Sequence, residues 1–189
     1  SKLMTKTLEA VHTTDQLPDA TTVVIIGGGI VGISAALALA ERNIPVVLLE
    51  KGHIAGEQSS RNLGWIRKTS RHAADVPLAL AADRLWAGMP ERIGQSVGYQ
   101  QSGIMFLAKT AEQMAMHEAW SDSVQSLSLD SQLLTAKDID RHVPGGQGQW
   151  RGGIYTPSDG RAEPAIATSA IAKAAIAKGA VLIQHCAVR

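Results

Sequence analysis

Three glycines spaced as Gly27-x-Gly29-x-x-Gly32, followed by an acid at Glu50, are the residues of this sequence best suited to chemistry. A residue without Cβ allows the tight turn at Gly27, lets a pyrophosphate approach the backbone at Gly29, and lets a helix pack closely on a strand at Gly32. Glu50 lies roughly 20 residues further on, where a carboxylate accepts hydrogen bonds from a ribose diol. The pattern predicts a grip for a dinucleotide, because the free N–H groups and dipole of the following helix favour phosphate charge.

The surrounding elements have to hold these residues in place. Val23 to Ile26 is a short β-branched run that fits a buried parallel strand. A helix is expected from about Ile30 to Arg42, with Asn43 as a left-handed terminal residue and Pro45 blocking continuation. Val46 to Leu49 reads as the second strand. The segment from Lys51 to Gly64 is rich in glycine, hydroxyl, amide and guanidinium groups, where a plain NAD-type unit would place a second crossover helix.

Further along, Val76 to about Gly94 has helical periodicity through Leu78, Leu80, Leu85 and Trp86, with Pro90 limiting its length. Tyr99 to Leu107 reads as a strand containing Gly103. Thr110 with Gln113 predicts a capping box for a helix reaching about Leu127, in which Met114, Met116 and Trp120 pack, and Thr135 with Asp138 starts a short helix ending before Pro144. Trp150 to Tyr155 is a candidate strand and Asp159-Gly160 a turn. Glu163-Pro164 opens an alanine-rich helix with Gly179 as its stop, and Ala180 to Val188 is a candidate buried strand. The expected fold class is α/β. A Rossmann-like dinucleotide-binding βαβ domain at 20–94 and 160–189 is interrupted by an α+β substrate or cap segment at 95–159 and preceded by an arm at 1–19.

Composition narrows the function classes. The 189 residues are 45% hydrophobic and 19% charged with a formal net charge of +1, an ordinary globular balance with no field that points to nucleic acid or an anionic membrane. No apolar stretch is long enough to span a bilayer. Ser1-Lys2-Leu3 reads as an appended tripeptide ahead of Met4, and as a peroxisomal address it would count only at a C-terminus. The single cysteine, Cys186, fits a reducing compartment and is expected as a small buried strand residue, so a cytoplasmic location is expected. No Cys/His cluster has zinc spacing, and no metal site is expected.

Three passages in order resemble the FAD-dependent oxidoreductases of the D-amino-acid oxidase and sarcosine oxidase type. They are Gly27 to Glu50, then Ser59-Ser60-Arg61-Asn62-Leu63-Gly64-Trp65-Ile66-Arg67, then Gly152-Gly153-Ile154-Tyr155-Thr156-Pro157-Ser158-Asp159-Gly160 with Glu163-Pro164. The resemblance implies an extended FAD, with its pyrophosphate on Gly27, Gly29 and Gly32 and its adenosine ribose at Glu50 and Lys51. It implies that Ser59, Ser60, Arg61, Asn62 and Gly64 line the stretch toward the flavin, and that the backbone near Val188 meets the adenine edge. Arg67 would grip a substrate carboxylate bidentately, while Lys68, Arg71 and His72 read as a solvated basic face.

The activity so implied is oxidation of the C–N bond of an amino acid or secondary amine by hydride transfer to FAD, giving an imine that hydrolyses. No residue is assigned as catalytic base. Such enzymes are usually about twice as long, so the chain resembles an N-terminal half and a second polypeptide completing the fold is expected as partner. Two alternatives stay open: an NAD(P)-dependent dehydrogenase, which the glycines and Glu50 suit equally well, and a non-catalytic FAD-binding subunit.

Overall fold

Short β-branched runs and glycine stops set the element order in the computed structural model, which describes residues 11–54 and 64–189. The strands are β1 (Val23–Ile26), β2 (Val46–Leu49), β3 (Trp65–Ile66), β4 (Ile104–Ala108), β5 (Gln132–Thr135), β6 (Gly152–Thr156), β7 (Gly160–Arg161) and β8 (Val181–Ile183). The helices are α1 (Ile30–Glu41), α2 (Val76–Ile93), α3 (Ala111–Ser123), α4 (Ala136–His142) and α5 (Pro164–Ala177). Ser59, Ser60, Arg61 and Asn62 of the expected cofactor loop lie outside the described residues.

The chain divides into two compact units. The first comprises residues 1–64, 88–99 and 162–189. Its sheet has the order β1-β2-β8, all parallel, with Ile25 opposite Leu48 and Leu48 opposite Leu182. The expected return of the last helix and strand to the first sheet is therefore present. α1 packs on α5, burying Ile33, Ala36 and Leu37 of α1 together with Ala167, Ala170 and Ile171 of α5. The alanines of α5 let the two backbones approach, and each large apolar side chain fully buried here contributes about 1.5–3 kcal/mol. Asn43 takes the left-handed conformation at φ 58°, as expected, and its N–H donates to the Ala40 carbonyl at 3.0 Å. Arg92 and Glu41 pair through two guanidinium nitrogens within this unit.

Three expectations are corrected in the first unit. β1 is not a strand buried on both faces: among the described residues it pairs only with β2, and Val24 and Ile26 are 55% and 69% exposed. The last strand stops at Ile183 instead of reaching Val188. Beyond it the backbone bonds the loop after β2, with Cys186 N–H donating to Glu50 O at 2.9 Å and His185 N–H to Gly52 O at 3.1 Å. Cys186 is consequently half-buried in irregular backbone, not a buried strand residue. α2, by contrast, spans Val76–Ile93 much as expected, with Pro90 accommodated inside it. The ring removes one donor, yet the Pro90 carbonyl still accepts from Gly94 N–H at 2.9 Å, so the last turn closes.

The second unit comprises residues 65–87 and 100–161, so the division falls within α2. It has an antiparallel sheet in the order β4-β6-β5 and a two-stranded ladder β3-β7. Ile139 and Ile154 are fully buried. Thr135 and Asp138 form the complete expected capping box of α4. Thr110 caps α3 through Gln113 N–H at 3.1 Å, but the Gln113 side chain accepts from Lys109 N–H, and α3 ends at Ser123 before a separate 3-10 turn at Gln125–Leu127. β4 begins only after Gly103, whose φ of 78° interrupts extended backbone. Leu78 and Leu85, expected on the apolar face of α2, are 75% and 60% exposed, whereas Val76 and Met89 are buried.

Candidate functional site

The first unit builds its site at the end of β1. Gly27 has φ 108°, and its N–H donates to Leu49 O at 2.8 Å, so the turn is tied to the end of β2. A Cβ on Gly32 would lie 2.2 Å from the Gly27 carbonyl, so no other residue allows this close helix–turn packing. Gly29 is the N-cap of α1 with no side-chain cap and open space around its position, and no acid sits in the first turn. An uncapped helix N-terminus beside open space fits a phosphate group.

Glu50 stands at this turn. Its Oε1 accepts from Gly28 N–H at 3.0 Å, and its Oε2 accepts from Gly52 N–H. The two amides fix the carboxylate beside the glycines while leaving lone pairs for a ribose diol. The structure therefore brings Gly27, Gly29, Gly32 and Glu50 together. Lys51 is exposed next to Glu50, and Val188 is 53% exposed in irregular backbone after β8. Gly64 has φ 64°, and its carbonyl accepts from Ala162 N–H at 2.8 Å. Gln184 was not singled out in the sequence. Its Oε1 accepts from Ile54 N–H at 2.8 Å and its Nε2 donates to Thr13 Oγ1 at 3.1 Å. A glutamine 130 residues from its partner gives no sequence signal.

The second unit holds a cavity of about 420 Å³ walled by Trp65, Ile66 and the α2 residues Leu78, Ala79, Ala82 and Trp86. Arg67 and Arg71 bring positive charge to it and Asp75 one carboxylate. The Arg67 guanidinium donates to Thr69 O and lies 5.6 Å from the Phe106 ring centre, against which Trp65 packs edge-on. Arg71 Nε donates to Arg67 O at 2.7 Å. Burial first, and then the neighbouring Arg71 charge, pull the Arg67 guanidinium below its ordinary value, with Asp159 opposing. Two cations beside apolar walls favour a ligand with an anionic end and an apolar body.

Of the expected solvated basic face, Arg71 and His72 are exposed but Lys68 is not. It is only 1% exposed, and its ammonium pairs with Asp83 and with Asp159 at 3.1 Å. Burial pushes the ammonium down, but the hydrogen bonds to Asp83 and Asp159, reinforced by their charges, outweigh it and hold Lys68 above the ordinary lysine value. Asp159, expected in a turn within the third resembling passage, is fully buried. Among the described residues there is no group of three or more His, Cys, Asp or Glu placed to hold a metal ion. Among the same residues no helix is long and apolar enough to cross a membrane.

Residues 22–189 match the sequence pattern of the FAD dependent oxidoreductase family, DAO. The fold is similar to that of L-amino acid deaminase from Proteus myxofaciens in complex with anthranilate, with a TM-score of 0.87 and 31% identity, covering 96% of this chain and 42% of that one. In sequence the chain is 28% identical to glycine oxidase of Bacillus subtilis, covering 87% of this chain and 45% of the relative. It is also 28% identical to the mitochondrial pyruvate dehydrogenase phosphatase regulatory subunit of Mus musculus, over 82% of this chain and 17% of that protein. The chain thus spans less than half the length of each of these relatives.

Proposed function

The chain belongs to the FAD dependent oxidoreductase family, and on that premise we propose that it is the N-terminal part of an enzyme oxidising the C–N bond of an amino acid or secondary amine. FAD, when bound, supplies the hydride acceptor. The residues of this chain bind and orient. Gly27, Gly29 and Gly32 would cradle the pyrophosphate at the N-terminus of α1, and Glu50 with Lys51 would meet the adenosine ribose. Ser59, Ser60, Arg61, Asn62 and Gly64 would continue the grip, and the backbone near Val188 would meet adenine. Arg67 would take the substrate carboxylate and so orient the carbon that bears nitrogen.

The observation that supports this reading best is the Arg67 guanidinium on a cavity with aromatic and aliphatic walls. An amino acid presents the matching chemistry, an anionic carboxylate on an apolar frame. The relatives named glycine oxidase and L-amino acid deaminase support the same substrate class. The NAD(P) alternative falls with the family match. A non-catalytic flavin-binding subunit is the second reading, favoured by the relative named as a regulatory subunit.

A second polypeptide, or further sequence, completing the sheet is also part of the proposal. Among the described residues β1 and β8 are both sheet edges, and β1 carries an exposed apolar face. The deciding experiment uses the complete flavoprotein, titrated anaerobically with amino acids and secondary amines while the visible absorbance of oxidised flavin is followed. Bleaching by at least one amine is expected. A flavin-loaded protein that no amine bleaches overturns the catalytic reading and leaves the regulatory one.

A further inference from the structure

We propose that Asp159 is a positioning residue for substrate binding, holding through Lys68 and Thr69 the segment that presents Arg67 to the cavity. The inference rests on the reading of Arg67 as the carboxylate grip. Asp159 is fully buried and receives four donors from two consecutive residues. Its Oδ1 accepts from Lys68 N–H at 2.8 Å and from the Lys68 ammonium at 3.1 Å. Its Oδ2 accepts from Thr69 N–H at 3.2 Å and from Thr69 Oγ1 at 2.6 Å. Because the Thr69 hydroxyl donates to Asp159, it must accept from Thr156 Oγ1 at 2.6 Å, and Thr156 in turn accepts from Ser131 Oγ at 2.6 Å. Each hydroxyl in this chain then has a defined direction.

The carboxylate is itself anchored. Asp159 N–H donates to Thr156 O at 3.1 Å, and Asp159 O accepts from Gly103 N–H at 2.7 Å. Sliding the segment after β3 would strip partners from two buried amides and a buried ammonium at once. Arg67 is fastened to what Asp159 holds. Its guanidinium donates to the carbonyl of Thr69, and Arg71, whose N–H closes a turn on Lys68 O at 3.2 Å, clasps the Arg67 carbonyl. Ser70 in that turn has φ 62°, a conformation that persists only where surrounding bonds hold it. An asparagine at 159 would keep the shape, lose the charge opposite Lys68 and place a donor where one oxygen now accepts.

The test measures binding of benzoate and of benzamide to the oxidised, complete flavoprotein by perturbation of the flavin spectrum. Asp159→Asn is expected to weaken benzoate about tenfold, the scale of one charge-assisted hydrogen bond, and to leave benzamide within about twofold. Added to Arg67→Gln, it should weaken benzoate no further, since both act through one guanidinium. Equal weakening of both ligands, or full additivity with Arg67→Gln, overturns the positioning role. Benzoate affinity undiminished by Arg67→Gln would instead sink the carboxylate-grip reading itself. Should Asp159→Asn fail to fold, Thr69→Val is read in its place. It is expected to lose benzoate selectively by about threefold with recovery in Thr69→Ser, and unchanged benzoate binding overturns the proposal.

Discussion

Gly32 illustrates how a single absent side chain carries function. A methyl group at this position would be driven into the Gly27 carbonyl 2.2 Å away, in a turn already fixed by the Gly27–Leu49 hydrogen bond. Gly32→Ala is therefore expected to destabilise the first unit by about 1–3 kcal/mol, the usual range for overpacking, and to lower the flavin-to-protein absorbance ratio after purification. Thermal unfolding and a visible spectrum check both. Spacing alone made this glycine legible, because backbone turns are local. Lys68 was not legible in the same way. Its neighbours Arg71 and His72 suggest a solvated face, and the carboxylates that neutralise it lie 15 and 91 residues away in sequence. Side-chain type gave its charge, and only the fold gave its partners.

At the scale of elements, local chemistry was read well where it was self-contained. The Thr135–Asp138 capping box, the left-handed Asn43 and the Pro164 start of α5 all involve residues within one turn of each other. Elements governed by distant partners were read less well: β8 ends early because its following backbone pairs with the loop at Glu50 and Gly52. α3 offers a test of how packing sets protonation. Burial draws the His117 imidazole below its ordinary value, against an opposing hydrogen bond with the Leu107 backbone. The unfolded chain then takes up this proton first as pH falls below about 6.5, its unperturbed value. The contribution of neutral His117 is complete above that pH, declines as pH drops toward the lower folded value, and levels off beneath it. Urea unfolding at a series of pH values should show this slope in the native sequence and not in His117→Gln.

At the scale of the whole molecule, the parallel sheet of the first unit leaves β1 paired on one side only among the described residues, with Val24 and Ile26 exposed. The isolated chain is expected to self-associate through this apolar edge. Val24→Lys should shift its sedimentation distribution toward the 20.0 kDa monomer, and a distribution unmoved by the charge would show that association uses another surface. The sequence by itself determined the cofactor class and the order of the elements, since glycine spacing, caps and β-branched runs act over a few residues. Tertiary structure alone decided that Glu50 is pinned by Gly28 and Gly52, that Lys68 is buried between Asp83 and Asp159, and that Arg67 lines a cavity with α2 side chains. Those facts depend on which distant residues share a low-dielectric interior, where an unpaired charge is costly and a paired one fixes its surroundings.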